Sequence, residues 1–194
     1  MSQPTLFCAL GSETASLEDD EIRKQIEKFL EEVVGPKEEV LLLPPDFTRF
    51  HSQSGKITTM VTDYYGYTNN NEKDKTTTKQ VPKIEILPTL GTHAPMTNKE
   101  IATMFGEELA KKDPSPFLVH DWRNDVETIG HVPAEMVTKA THGMVHEPWP
   151  AQLNKLVWEK RKNKGKSLVL SIGQVVPHEV MGPFIVLFMF HFLL

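Results

Sequence analysis

The sequence predicts an α/β fold: a single domain with an open, at least partly parallel sheet flanked by helices. Apolar runs of strand length stand at 40–43, 84–90 and 168–176, and amphipathic helical stretches fall between them. Each run ends in a polar island: Pro44-Pro45-Asp46-Phe47-Thr48-Arg49, then Leu90-Gly91-Thr92-His93-Ala94-Pro95-Met96-Thr97, then Gly173-Gln174-Val175-Val176-Pro177-His178-Glu179-Val180-Met181-Gly182. Open α/β sheets bind ligands beyond the carboxyl ends of their strands, so an acid, an arginine and two histidines at three such ends point to one shared site.

Taken in order, residues 1–16 carry little periodicity beyond a short apolar stretch at 6–10 that suits a strand. A helix is expected over 17–34, because Ile22, Ile26, Phe29, Leu30, Val33 and Val34 recur at helical spacing and Gly35-Pro36 stops it. A second helix is expected over 54–67, weakened by Gly55, Gly66 and β-branched residues, and 68–80 reads as a polar surface loop. Thr97-Asn98-Lys99-Glu100 has capping-box spacing and opens a third helix with an Ile101, Met104, Phe105 and Leu109 stripe, ended by Pro114 and Pro116. Phe117 to Val119 suits a strand leading to His120-Asp121-Trp122. Ile129, Val132, Val137 and Val145 suit short strands, and 153–161 is weakly helical.

Composition narrows the classes. At 194 residues, with 39% hydrophobic and 24% charged residues, the chain matches one soluble globular domain. A net charge of −5 argues against broad nucleic-acid binding, and the one basic run, 160–166, reads as a solvated loop before the last strand. The single cysteine, Cys8, excludes an internal disulfide framework. No basic segment followed by an apolar one marks the N-terminus, so a cytoplasmic location without membrane association is expected. Residues 183–194 read PFIVLFMFHFLL, about half the roughly 20 residues that cross a bilayer.

Within the islands, Asp46 and Arg49 past a strand suit an anion corner, with Arg49 holding a carboxylate or phosphate and Asp46 taking hydroxyl or ribose donors. The same pattern suits Asp46 capping the next turn with Arg49 paired locally, and the sequence leaves both open. His93 and His178 suit a general acid/base pair working on opposite faces of one carbon, or two turn histidines satisfied by backbone. His120-Asp121 fits an oriented imidazole or a simple turn. His142 and His146 have metal-compatible i, i+4 spacing, but Gly143 and Pro148 make the helix it needs a poor one. HExxH, Walker A, GxGxxG and GxSxG motifs are absent from the sequence.

Together, Asp46-Phe47-Thr48-Arg49, Gly91-Thr92-His93 and Pro177-His178-Glu179 resemble the N-terminal domain of the nickel-dependent lactate racemase family, over roughly 41–182. The resemblance implies a two-domain enzyme that racemizes or epimerizes a small 2-hydroxy acid by hydride transfer to a nickel pincer nucleotide. It implies His93 and His178 as the acid/base pair, and Asp46, Phe47, Thr48 and Arg49 as part of the cofactor and substrate pocket. Residues 1–182 would then form the racemase-like domain, and 183–194 an apolar tail that departs from the pattern. The family's cofactor-tethering lysine and nickel-binding histidine have no counterpart after Gly182, and His191 sits in an unrelated apolar context. The expectation is therefore a chain lacking the second domain, with little or no activity alone. The alternative is a non-catalytic binding module that keeps an anion or hydroxy-acid pocket.

Overall fold

The computed structural model describes residues 6–68, 81–163 and 165–174. His178, Glu179, the stretch 69–80 and the 183–194 tail lie outside the described residues. Strands β1 (Glu39–Leu43), β2 (Lys83–Ile86) and β5 (Ser167–Ser171) form a parallel sheet ordered β2-β1-β5, with Val40 level with Ile84 and Leu168. Phe117 bridges Ile86 in parallel, placing 116–118 on the outer side of β2. The sheet is α/β as the apolar runs predicted, and β1 lies central with Val40, Leu41 and Leu42 fully buried.

Both faces are covered, which is why β1 reads as a continuous apolar run rather than an alternating one. On one face Val40, Leu42, Ile84, Ile86, Leu168 and Leu170 meet α1 (Asp19–Phe29), α2 (Ser54–Tyr64) and α3 (Asn98–Phe105) through Ile26, Phe29, Met60, Val61, Met104 and Phe105. On the other, Leu41, Leu87 and Val169 meet Val157 of α6 (Lys155–Lys162). The crossover from β1 to β2 uses α2. The crossover from β2 to 116–118 uses α3 and the short α4 (Glu107–Ala110), and the return to β5 passes under the opposite face through α6. Successive connections therefore change face between β1 and β5, which makes the carboxyl ends of those two strands the topological switch point.

Local chemistry explains the boundaries. Asp19, Asp20 and Glu21 fill the first turn of α1, where their charge meets the helix dipole, and Glu18 takes the cap position without a side-chain bond. The expected 17–34 helix changes at Leu30–Val34 into a π-turn that closes on Gly35, whose φ of 66° ends it. Thr97 and Glu100 form the complete capping box over α3, but the helix stops at Gly106 (φ 90°), well before the prolines assigned that role. β2 is shorter than predicted because Pro44 has no N–H to give the Leu87 carbonyl, although Leu87 and Thr89 still bond to the Leu42 and Pro44 carbonyls.

Other expectations are corrected. No strand forms at 6–10; Phe7 instead rests edge-on against Phe29, 5.3 Å away. Val137 is the buried residue of a helix, α5 (Ala134–Ala140), and Val145 lies in no strand, whereas Ile129 and Val132 do sit in β3 (Val126–Val132). β3 pairs antiparallel with β4 (Trp149–Asn154) across a bulge at Thr128/Gly130. Nor is the basic run wholly a solvated loop. Lys160, on α6, is 7% exposed, with its Nζ 2.8 Å from Glu39 Oε1 and 3.0 Å from Glu85 Oε2, the latter an ion pair without hydrogen-bond alignment. Among the described residues, no helix is long and apolar enough to cross a membrane.

Candidate active site at the carboxyl edge

Pro44 and Pro45 end β1, and Asp46 follows with extended backbone as cap of a 3-10 turn, Phe47–Ser52. Asp46 Oδ1 accepts the Thr48 backbone N–H at 3.0 Å and also the Thr48 hydroxyl. Its Oδ2 lies 2.5 Å from His93 Nδ1. These two strand ends are brought level by parallel pairing, which sets Pro45 against Thr89, with the Thr89 N–H and hydroxyl both on the Pro44 carbonyl at 2.8 and 3.1 Å. Gly91, at φ 58°, then turns the chain so that the His93 N–H reaches the Leu90 carbonyl at 2.9 Å. A side chain there would be strained, so the glycine belongs to the geometry of the histidine.

Asp46 is 6% exposed, and the His93 side chain is 58% exposed. Burial works against the Asp46 charge, but the Thr48 hydroxyl, His93 and the Thr48 N–H outweigh it and hold the carboxyl below its ordinary value. An ionised carboxylate only accepts, so His93 donates from Nδ1, and in its neutral form the open Nε2 carries the lone pair. The pair thus presents an oriented base to solvent.

The two sequence readings of Asp46 prove compatible in part: it caps the turn, and its second oxygen orients the histidine. Arg49 does not pair locally. It is exposed at a kinked position (φ −109°, ψ 27°), and its guanidinium has no hydrogen-bond or ion-pair partner among the described residues. Phe47 is half-buried against the main core with its ring 5.4 Å from Phe50, and Thr48 is committed to Asp46. A recess of about 180 Å³ opens beside the His93 loop, between Leu90, Met96, Ile101, Phe117 and Val119.

His142 has φ 52° and follows the end of α5, so it and His146 share no helix, and no group of three metal-ligating side chains exists among the described residues. His120 is held by Asn154, Nδ1 to Nδ2 2.9 Å. The Asp46–His93 contact was invisible in the sequence, since 47 residues separate the partners and only the strand pairing joins them.

The fold is similar to that of the lactate racemase apoprotein from Thermoanaerobacterium thermosaccharolyticum, with a TM-score of 0.52 and 21% identity over 82% of this chain. The chain spans about a third of that enzyme, 32% of its length. No curated protein matches the sequence. The family model described as the lactate racemase N-terminal domain matches residues 13–182, so the chain belongs to the lactate racemase N-terminal domain family.

Proposed function

We propose that this chain supplies an acid/base half-site for racemization or epimerization of a small, lactate-like 2-hydroxy acid. The observation that carries this reading is the 2.5 Å contact between buried Asp46 and the exposed His93 ring. Asp46 fixes the Nδ1–H tautomer, and Nε2 takes the hydroxyl proton of the substrate. Arg49, three residues along and free of partners among the described residues, holds the substrate carboxylate or an anionic group of a cofactor. His178 is the second acid/base residue in this reading, which for it rests on the Pro-His-Glu island.

The C2 hydrogen of a 2-hydroxy acid is not acidic, so proton transfer alone does not invert it. The family's nickel pincer nucleotide supplies the hydride acceptor. In this chain, Arg49 fits an anionic group of that nucleotide, whereas the described residues hold no cluster of three metal-ligating side chains. The chain alone is therefore expected to bind a 2-hydroxy acid and to leave L- and D-lactate unconverted.

The test is an NMR titration of the purified chain with L-lactate, alongside chiral analysis of the lactate. Expected are His93 ring shifts that are lost in Arg49→Ala and no interconversion. Unmoved His93 signals would sink the half-site reading, and turnover by the chain alone would refute the dependence on an external electron sink. The unpaired guanidinium also favours a second reading, a non-catalytic binding module. A covalently attached nucleotide found by intact-mass spectrometry would count against it.

A further inference from the structure

Another histidine stands at the same edge, with its protonation geometry fixed by a different device. Leu118 N–H bonds to the Ile86 carbonyl at 2.8 Å, so two residues later His120 is level with Thr89, the residue that pairs with Pro45 of the β1 end. It lies one strand outward from β2 and two from β1, at about 4.8 Å per step, a gap of roughly 10 Å to the β1 end that the Arg49 side chain and a small hydroxy acid span together. Leu118 packs with the cluster under α6, and strand alternation returns His120 to that face, where Asn154 caps α6.

The amide of Asn154 has only one satisfactory orientation. Its Oδ1 accepts the Leu156 N–H at 2.9 Å, so its NH2 faces His120 Nδ1, also at 2.9 Å. The flipped amide would set NH2 against N–H at the helix start. An amide NH2 can only donate, so His120 Nδ1 is the bare nitrogen and the ring proton sits on Nε2. His93 has the opposite arrangement, with Nδ1–H on Asp46 and a lone pair on Nε2. Adjacent strand ends thus carry imidazoles of opposite tautomer. One can take a proton at Nε2, and the other can only donate a hydrogen bond there.

We infer that Asn154 is a positioning residue that locks His120 as an Nε2–H donor for a carboxylate oxygen of the bound 2-hydroxy acid, sharing that anion with Arg49. This rests on the half-site reading above. It adds a recognition group that the three polar islands do not contain.

The experiment is long-range ¹H–¹⁵N correlation NMR of the ¹⁵N-labelled 194-residue chain, without and with L-lactate, for the native protein and Asn154→Asp. Aspartate keeps the α6 cap but accepts where asparagine donates. Expected are a bare Nδ1 and protonated Nε2 on His120 in the native chain, with Nε2 moving on lactate addition. In Asn154→Asp the tautomer reverses, helix content by circular dichroism is unchanged, and lactate binding weakens about tenfold, the scale of one charge-assisted bond. A native His120 protonated at Nδ1 would overturn the inference, as would a reversed tautomer with unchanged affinity. Lactate shifts at His93 without any at His120 would remove His120 from the site and leave the half-site intact. Shifts at neither would remove both.

Discussion

Gly55 offers a direct test of how the two halves of the Asp46–His93 pair are held together. It lies in the first turn of α2, and a Cβ there would stand 2.0 Å from the Met104 carbonyl oxygen and 2.8 Å from the Met104 carbonyl carbon and Cγ. Since real Cβ contacts essentially never fall below 3.0 Å, Gly55→Ala must push α2 and α3 apart by about 1 Å. The obstacle is main chain and cannot rotate away. Overpacking of this kind costs about 1–3 kcal/mol. Alanine returns up to about 1 kcal/mol through helix propensity, less near a helix start, so a net loss of about 1–2 kcal/mol is expected. Urea unfolding followed by circular dichroism should show a midpoint lower by about 0.5–1 M at unchanged slope. The same separation reaches the site, because α2 follows the turn capped by Asp46 and α3 follows the His93 loop. Thr59, whose hydroxyl reaches the Phe105 carbonyl at 3.1 Å, marks a second tie between the two helices. His93 in the variant should therefore lose its strict Nδ1–H preference in ¹⁵N spectra. A variant as stable as the native chain would refute the close-approach argument, and a destabilised variant with an unaltered His93 would refute its extension to the site.

Removing Lys160 should reveal the ion cluster beneath the sheet. Lys160→Ala leaves Glu39 and Glu85 without their shared cation and should cost about 3 kcal/mol or more, whereas Lys160→Met, which keeps the apolar stem, should cost less; equal melting temperatures for native and alanine forms would discount the cluster. Acid should act through Asp46. Its folded carboxyl lies below the ordinary 3.8 despite the opposing effect of burial, so its contribution is fully present above that value and is lost as pH falls through the lower folded one. Asp46→Asn should therefore be less stable than the native chain at neutral pH and converge on it in strong acid. Urea midpoints measured down to low pH would show parallel curves if Asp46 contributes nothing.

The parts of this fold that were legible in the sequence are those with a local cause. The Thr97–Glu100 box is written within four residues, and β1 announces its burial by four consecutive aliphatic residues, Val40 to Leu43. His93 could be singled out by its place after an apolar run. Its partner could not, because the Asp46 contact depends on the parallel register of β1 and β2. Lys160 was hidden for a related reason: it sits in a run of like charges, and its carboxylates arrive from two distant strands. β3 and β4 gave no clear alternation because almost every residue in β3 is exposed and the bulge at Thr128/Gly130 breaks the period. Val137 misled for the simplest reason, since a β-branched residue on a short amphipathic helix looks like a strand residue when no long window surrounds it.

The central position of β1 also sets an order of events during synthesis. β2 is available to pair soon after β1 is made, but β5 arrives only with Ser167, 128 residues beyond Glu39. Until then, one flank of a strand that is aliphatic from Val40 to Leu43 has no backbone partner, and α6, which brings Lys160 to Glu39, has barely emerged. Contacts of such separation make folding slow and leave the nascent chain open to edge-to-edge pairing. Among the described residues, the last strand made is thus the one that both flanks β1 and completes the switch point, so the crevice cannot take shape before the chain has protected its own most adhesive edge.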